Sequence, residues 1–448
     1  MTTALAYAAA VRELRERGRF GIGLGLERVT AILDELGHPE RALHGALVAG
    51  TNGKGSVVAL ARSALAAACL RTGTMPKPHL VSYRERIAID GVPLSEDRFA
   101  AALASVLPAV DRVAARLGPP TEFEVLTAAA YAELARAGVD LALVEVGLGG
   151  RLDATNVLDP GVAVITNVQH DHERHLGRTL AAIGAEKAAI IKRGNLAVTG
   201  ATGRGLRPIL DRCAALDVPL RRAGSGQPYA VEVRHVGWDG LVVDARTPSG
   251  WTRDLHVRLL GRHQASNAAV ALALLDALRD DGERRGKPLL GLDEAAVREG
   301  FERVSWPGRM ELLPTTRLGR VLLDGAHNPA GARALADALD ELGLRSFPLV
   351  FGAMRGKRVS AVLRALAPLR PNPVFTQVEG GAAIRSRTLQ AAWRRITGSG
   401  GQSTAPPAAA LELAATLRQD AGQPIVVAGS LYLVGDIRGM LRPQEDGA

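Results

Sequence analysis

A glycine-rich segment near residue 50 constrains the fold of this 448-residue chain more than any other feature. Gly50–Ser56 reads Gly-Thr-Asn-Gly-Lys-Gly-Ser, follows the apolar run Gly45–Ala49, and precedes an alanine-rich helical pattern. Its three glycines let the backbone wrap closely around an anion, and the N-terminus of the following helix favours a phosphate. Lys54 is placed to reach nucleotide phosphates, and the Ser56 hydroxyl is placed to ligate the accompanying Mg²⁺. The segment therefore predicts an ATP-binding α/β domain.

Charge and cysteine content exclude several classes of protein. The net charge of +9 comes from arginines spread through helical patterns, without the interleaved aromatic residues of nucleic-acid-binding surfaces. We therefore expect a solvated basic surface and no nucleic-acid partner. Two cysteines, Cys69 and Cys213, are too few for a disulfide framework and wrongly spaced for a zinc site. The absence of a signal-peptide pattern and of a long apolar run predicts a cytoplasmic protein without membrane contact.

Apolar runs alternate with helical patterns through the first half of the chain, which indicates a parallel α/β sheet. The predicted strands after Gly45–Ala49 are Leu141–Val146, Val162–Thr166 and Leu196–Val198. The predicted helices are Thr127–Ala137, Thr179–Ile191 and Ser266–Arg279, with Ser266 as a plausible N-cap. Between the last two of these helices, apolar and polar residues alternate around turn signals. This pattern predicts a small antiparallel insertion with strands Ala230–Arg234, Gly240–Asp244 and Asp254–Leu259.

The segment Ser305–Arg309 contains Pro-Gly and carries the strongest linker signal. We predict a domain boundary at residue 304. Residues 1–304 would form the P-loop ATPase domain, and residues 305–448 a smaller Rossmann-like α/β domain. The second domain's predicted strands are Val321–Leu323, Pro348–Phe351, Pro373–Thr376 and Pro424–Val427, and Thr397–Pro407 is predicted as a loop.

Two polar segments follow predicted parallel strands, where ligands bind in open α/β sheets. Glu145 ends one strand, and its carboxylate could complete the Mg²⁺ shell of a phosphate loop. The segment after Val162–Thr166 carries His170, His172 and His175. Three interpretations remain open for this segment: a zinc cluster, a plain polar loop, or one histidine that assists a magnesium–phosphate site. The absence of a nearby cysteine argues against zinc, and we favour the magnesium–phosphate interpretation.

Other candidates are weak when taken alone. On pattern, Lys187 reads as a solvated lysine beside Glu186. Asn267 stands near a helix start, and Asp324 and His327 follow a predicted strand. Turns and helix starts use the same residue types, so position by itself does not assign them a function. Arg309 in the linker and Ser430 after the last strand are further candidates of this kind.

Taken together and in order, these motifs resemble the folylpolyglutamate synthase/dihydrofolate synthase family of the Mur ligase superfamily. The resemblance runs from about Leu24 to Arg438, and Leu143–Asn156 is its most specific part. It rests on these segments: Gly50–Ser56, Pro78–Leu80, Glu145–Asn156, Asp171-His172, Glu186–Ala188, Gly261–Asn267, Pro307–Arg309, Asp324–Pro329 and Gly429-Ser430.

The resemblance implies roles for matching positions. The implied ATP-binding residues are Thr51, Asn52, Gly53, Lys54, Gly55, Ser56, Asn267, Arg309 and Asp324. The implied metal ligands are Ser56, Glu145 and His172. The implied catalytic residues are Lys54, Lys187, His172 and His327. The implied substrate-binding residues are Lys77, Pro78, His79, Arg84, Asp153, His327 and Ser430.

The implied activity is ATP-dependent addition of L-glutamate to dihydropteroate, to reduced folates or to both, through an acyl phosphate. ATP, Mg²⁺ and a monovalent cation are the implied ligands, the chain is expected to be a monomer, and Lys187 would be carbamylated. Carbamylation requires a neutral amine, so a buried lysine of depressed pKa is expected. The alternatives are a monofunctional folylpolyglutamate synthase, another Mur-type amide ligase, a basic P-loop ATPase and a non-catalytic nucleotide-binding protein.

Two departures from the family pattern bear on the substrate. Lys77 stands where the family usually has the serine of Ser-Pro-His-Leu, and an ammonium cannot ligate Mg²⁺. It could instead meet a phosphate or the substrate carboxylate, or its loop could sit differently. Arg355-Gly356-Lys357-Arg358 replaces the usual Asp-Lys-Asp segment and adds positive charge. We expect both changes to affect substrate choice rather than ATP binding.

Overall fold

The chain folds around two large sheets in a computed structural model that describes residues 6–18, 23–378 and 382–442. The first sheet has the strand order β4-β3-β2-β5-β1-β6-β7-β8, and its six strands from β2 to β8 are parallel. Its strands are β1 (Gly45–Ala49), β2 (Thr72–Met75), β3 (Ala88–Ile89), β4 (Val92–Pro93), β5 (Leu141–Glu145), β6 (Gly161–Ile165), β7 (Leu196–Thr199) and β8 (Leu220–Arg222).

Helices cover both faces of the first sheet, because each face carries its own apolar cluster. They are α1 (Tyr7–Arg17), α2 (Glu27–Glu35), α3 (Lys54–Ala67), α4 (Glu96–Leu117), α5 (Glu122–Ala137), α6 (Glu173–Leu176), α7 (Leu180–Ala188), α8 (Gly203–Leu216), α9 (His263–Arg284) and α10 (Glu294–Arg303). One close contact stands out, since a Cβ on Gly300 of α10 would overlap the backbone of Ala64 in α3. The two helices therefore pack without an intervening side chain.

The predicted antiparallel insertion is present as a three-stranded sheet of β9 (Ala230–Gly237), β10 (Gly240–Thr247) and β11 (Gly250–Val257). Its third strand begins four residues before the predicted start at Asp254. The Pro248-Ser249 turn pairs Thr247 directly with Gly250, so pairing starts at the turn rather than at the first apolar alternation.

The second large sheet has the order β12-β13-β17-β14-β15-β16, with β12 antiparallel to β13 and the others parallel. Its strands are β12 (Glu311–Thr315), β13 (Gly319–Leu323), β14 (Pro348–Phe351), β15 (Asn372–Phe375), β16 (Gln402–Ser403) and β17 (Ile425–Ala428). Its helices are α11 (Pro329–Glu341), α12 (Val359–Leu366), α13 (Ser386–Thr397), α14 (Pro407–Thr416) and α15 (Leu431–Leu441).

The α/β architecture is confirmed, and several local predictions are wrong. Helix α9 begins at His263, so Ser266 lies inside its first turn and is not the N-cap. Gly261, at φ +92°, turns the chain immediately before the helix and allows this earlier start. The first strand of the second sheet is β12, whose Pro314 masks it in the sequence and is tolerated because β12 is an edge strand. Within the predicted loop Thr397–Pro407, two residues form β16.

The two sheet systems are joined by residues 304–310, and the predicted boundary at residue 304 stays a prediction. Among the described residues, no helix combines the length and apolar character needed to cross a membrane.

Candidate active site

The phosphate loop lies between β1 and α3, and residues after β6 hold its shape. Gly50 has φ +152°, and a Cβ there would overlap the Thr166 side chain. The Thr166 hydroxyl donates to the Asn52 carbonyl at 2.6 Å, and the Asn52 amide donates to Oδ1 of Asn167 at 3.0 Å. The loop is therefore ordered by its own protein contacts, with the N-terminus of α3 behind it.

A cavity of about 410 Å³ opens above this loop and is lined by residues from both large sheets. It brings together most of the residues predicted from the sequence. Those that line it are Thr51, Asn52, Gly53, Lys54, Gly55, Ser56, Lys77, Pro78, Glu145, His172, Lys187, Asn267, Arg309, Asp324 and His327.

Glu145 and Lys54 form the charged centre of the cavity. Lys54 Nζ lies 3.8 Å from Glu145 Oε1 and donates to the Gly50 carbonyl at 3.1 Å. Glu145 is 5% exposed, and burial raises the pKa of its carboxyl, with the Lys54 charge opposing that effect. Its Oε2 accepts only a long hydrogen bond, 3.2 Å, from the Lys77 amide. Oxygen lone pairs thus remain for a divalent cation, and the nearby Ser56 hydroxyl offers a second hard ligand.

His172 and Asp171 lie on the opposite side of the phosphate loop from Glu145, on the segment that follows β6. Burial lowers the pKa of His172, although Asp171 opposes the shift, so the imidazole is neutral and able to ligate a metal. Burial alone would raise the pKa of Asp171, but the Lys357 charge and a hydrogen bond from Asn328 bring it below its usual value. The described residues contain no group of three His, Cys, Asp or Glu side chains suited to a metal ion.

Lys187 is a buried cavity residue, in contrast to the solvated lysine that its sequence pattern indicates. It lies in the last turn of α7 and is 3% exposed. Burial, and next the Lys54 charge, lower the pKa of its amine to about 7. A substantial fraction of the amine is therefore neutral at physiological pH, as the resemblance led us to expect.

Asp324 and His327 follow β13 of the second sheet, and Arg309 lies on the segment that joins the two sheets. Asp324 accepts backbone hydrogen bonds from Ala326 at 2.8 Å and Met310 at 3.0 Å, which fix the carboxylate at the cavity edge. Burial raises its pKa, and the Arg309 charge opposes that shift. His327 Nδ1 lies 2.8 Å from the Gly325 carbonyl and so donates to it, which leaves Nε2 as an acceptor. Burial and the Lys357 charge lower the pKa of His327 to about 4.

Four predicted substrate residues do not line the cavity, and direct substrate contact stays a prediction for them. His79 Nδ1 accepts a 2.8 Å hydrogen bond from Arg86. Arg84 is buried and donates to the Leu94 carbonyl at 2.8 Å. Asp153 caps a short 3₁₀ turn, and Ser430 caps α15 by accepting from the Tyr432 amide at 3.2 Å.

Asn328 and Trp306 are site residues that sequence reasoning missed. Asn328 Oδ1 caps α11 by accepting from the Gly331 amide, while its Nδ2 lies 3.2 Å from both Asn52 Oδ1 and Asp171 Oδ2. Trp306 packs so closely on Gly55 that a Cβ there would lie 2.6 Å from the indole. The N-cap position before Pro329 was a readable signal for Asn328, whereas nothing local pointed to Trp306.

The profile of the Mur ligase middle domain matches residues 48–275, and that of the dihydrofolate synthetase C-terminal domain matches residues 311–442. The chain is 37% identical over 424 residues to the Mycobacterium tuberculosis dihydrofolate synthase/folylpolyglutamate synthase, covering 91% of this chain and 85% of that protein. The chain belongs to the dihydrofolate synthase/folylpolyglutamate synthase family. A Bacillus subtilis member with the same name is 31% identical and covers 98% of this chain and 99% of its own length.

Solved structures of family members superpose over nearly the whole chain. The M. tuberculosis folylpolyglutamate synthase complexed with ADP and AMPPCP has a TM-score of 0.87 and 34% identity, covering 97% of this chain and 99% of that one. A bifunctional Yersinia pestis member complexed with AMPPNP and a Mn ion has a TM-score of 0.83 and 28% identity, covering 98% of each chain. The family thus consists of ATP-dependent ligases, and these two solved members bind adenine nucleotides, the Y. pestis one together with a Mn ion.

Proposed function

We propose that this chain is a bifunctional dihydrofolate synthase/folylpolyglutamate synthase, which adds L-glutamate to dihydropteroate and to reduced folates. The observation that carries the proposal is the cavity between the two sheets, where the phosphate loop, Glu145 and Lys187 meet Arg309 and His327. Such a layout suits a ligase that holds ATP on one sheet and closes the other over it.

The reaction begins with a carboxylate oxygen of the acceptor attacking the γ-phosphorus of ATP. The bond to the β,γ-bridging oxygen breaks, ADP leaves, and an acyl phosphate forms. The amine of L-glutamate then attacks the acyl carbon and expels inorganic phosphate, which leaves an amide and releases one proton. Closure of the cavity keeps water from the acyl phosphate. His327, with Nε2 free to accept, is placed to take the proton from the amine.

Lys54 and the amides of Thr51–Ser56 would hold the triphosphate, while Asn267, Arg309 and Asp324 would contact the rest of the nucleotide. Ser56 and Glu145 would hold one Mg²⁺, and Glu145 with His172 a second. Bound Mg²⁺ neutralises charge on the transferring phosphoryl group. The fit rests on the free lone pairs of Glu145 and on the neutral imidazole of His172.

Lys187 would be carbamylated. Its neutral amine attacks CO₂, a C–N bond forms and a proton leaves, so a cation becomes an anion beside the metal ligands. Burial and the low pKa of the amine support this proposal. The monovalent cation, the monomeric state and the cytoplasmic location remain predictions.

The test is phosphate release with ATP, Mg²⁺ and L-glutamate, offered dihydropteroate and tetrahydrofolate in parallel, with the products identified by mass. Turnover of both acceptors is the expected result. Turnover of one alone would replace the proposal with a monofunctional enzyme. Binding of ATP without glutamate addition to either acceptor would overturn it.

A further inference from the structure

Lys77 follows β2 and projects into the cavity beside Glu145. Its amide donates to Glu145 Oε2 at 3.2 Å, which ties the start of the loop to the centre of the site. Its Nζ lies against Gly147, where a Cβ would overlap it, and over the ring face of Phe123. The ammonium is therefore held between a bare glycine backbone and an aromatic ring.

This ammonium has no hydrogen-bond or ion-pair partner among the described residues. Burial lowers the pKa of the Lys77 amine to about 7, and the Asp153 charge opposes that shift. The Asp153 oxygens are engaged by hydrogen bonds from their own segment of the chain. They accept from the Leu148 amide at 2.8 Å and from the Thr155 amide and hydroxyl at 3.1 and 2.6 Å. A cation–π contact offsets part of the cost of desolvating an ammonium, yet it satisfies none of its three N–H donors. An anionic oxygen bound in the cavity would give Lys77 the partner that it lacks and would favour its charged form.

The sheet order indicates which oxygen ligand this is. Strand β5, with Glu145 at its end, separates β2 from β1 and its phosphate loop. Adjacent strands lie about 4.8 Å apart, so the ends of β2 and β1 are roughly 10 Å apart across the sheet edge. Lys54 and the N-terminus of α3 already serve the phosphates. Lys77 stands on the far side of Glu145, where the wall is formed by Pro78 and Leu148.

We propose that the Lys77 ammonium binds the reacting carboxylate of the acceptor substrate and presents it to the γ-phosphoryl group across Glu145. This inference rests on the proposed function. One carboxylate oxygen accepts from Nζ while the other attacks phosphorus, and Lys77 transfers no proton. The apolar side chains of Pro78 and Leu148 in the wall beside it suit an aryl carboxylate such as that of dihydropteroate.

The test compares Lys77→Met, which keeps the length of the side chain without its charge, with the exposed control Lys287→Met. Binding of dihydropteroate and of its primary carboxamide is measured calorimetrically with Mg²⁺ and AMPPNP present. The wild type and K287M should bind the acid at least 10-fold more tightly than the amide, since a hydrogen bond to a charged group contributes about 1.5–3 kcal/mol. K77M should bind the two equally, with AMPPNP affinity changed less than about threefold.

Three results would overturn the inference. K77M could keep the wild-type preference for the acid, the wild type could bind acid and amide equally, or K77M could lose AMPPNP affinity instead, which would assign Lys77 to the phosphates. A melting curve excludes misfolding, and Lys77→Arg should retain part of the preference. Because the readout is binding, failure of the proposed function appears separately, as absence of turnover in the wild type.

Discussion

Asn328, which caps helix α11 on the second sheet, donates from Nδ2 to Oδ1 of Asn52 in the phosphate loop of the first sheet at 3.2 Å. The same nitrogen lies 3.2 Å from Asp171 Oδ2, and Lys357 Nζ lies 3.5 Å from Asp171 Oδ1. Both sheets are therefore joined through the loop that would hold the triphosphate.

Asn328→Ser should weaken this connection while keeping an oxygen to cap α11. Two hydrogen bonds are lost, each contributing about 0.5–1.5 kcal/mol, so we expect nucleotide affinity to fall about 5- to 150-fold. The measurement is calorimetric titration with AMPPNP, and thermal melting should show little change. An affinity equal to that of the wild type would show that the contact does not contribute to nucleotide binding.

Glu145→Gln removes the negative charge proposed to bind Mg²⁺ but keeps the shape of the side chain. We expect turnover to fall by about 100-fold or more, since electrostatic stabilisation of the transferring group is the main source of catalysis in such sites. The Mg²⁺ concentration for half-maximal rate should rise. Unchanged Mg²⁺ dependence would remove Glu145 from the metal site, and Glu302→Gln at an exposed position of α10 serves as the control.

Lys187→Arg should abolish turnover, because a guanidinium stays charged and cannot form a carbamate. In the wild type, burial lowers the pKa of the Lys187 amine to about 7, so its neutral fraction falls as the pH drops below 7. Bicarbonate should therefore stimulate CO₂-depleted enzyme. The bicarbonate concentration that gives half-maximal stimulation should be higher at pH 6.5 than at pH 8. Full activity in rigorously CO₂-free buffer would contradict carbamylation.

His79 should make folding stability depend on acidity. Burial, and next the Arg86 charge, lower its pKa from 6.5 to about 3, and its Nδ1 must stay unprotonated to accept from Arg86. The unfolded chain binds this proton more readily, so stability is present above about pH 6.5 and is lost as the pH falls toward 3. Urea unfolding between pH 4.5 and 7.5 measures the slope. His79→Asn, which retains an acceptor, should flatten it, whereas an unchanged slope would rule out His79 as its source.

Gly300→Ala should destabilise the fold, since the new methyl group would overlap the backbone of Ala64 and backbone cannot move aside cheaply. Overpacking of this kind costs about 1–3 kcal/mol in the free energy of unfolding. Urea denaturation measures it, and Glu302→Ala on the same helix is the exposed control. Stability equal to the wild type would mean that α10 shifts freely on α3.

The sequence predicted the parts of the fold that follow from local pattern. The strands Gly45–Ala49 and Pro348–Phe351 have the predicted bounds, since each is a buried apolar run between turn signals. The four-residue strand Thr72–Met75 was missed because it carries Gly73 and two threonines and has no apolar periodicity. Its place between β5 and β3 comes from tertiary pairing, which local composition does not encode.

Some parts of the site could be predicted from the sequence and others could not. Motifs with a fixed spacing, such as Gly50–Ser56, were sufficient to predict phosphate binding. The burial of Lys187 depends on how α7 packs, and its sequence pattern pointed to solvent. The contact between Asn52 and Asn328 joins residues 276 positions apart, so only the folded chain reveals it.

Trp306 gives the protein an optical probe of its own nucleotide site. The indole packs on Gly55, where the phosphate loop becomes helix α3, and it belongs to the segment that leads into the second sheet. Of the four tryptophans, Trp306 is the one on this segment. A change in the loop or in the angle between the sheets alters the surroundings of this indole. The time course of intrinsic tryptophan fluorescence can therefore report the rates of nucleotide binding and domain closure without an added label.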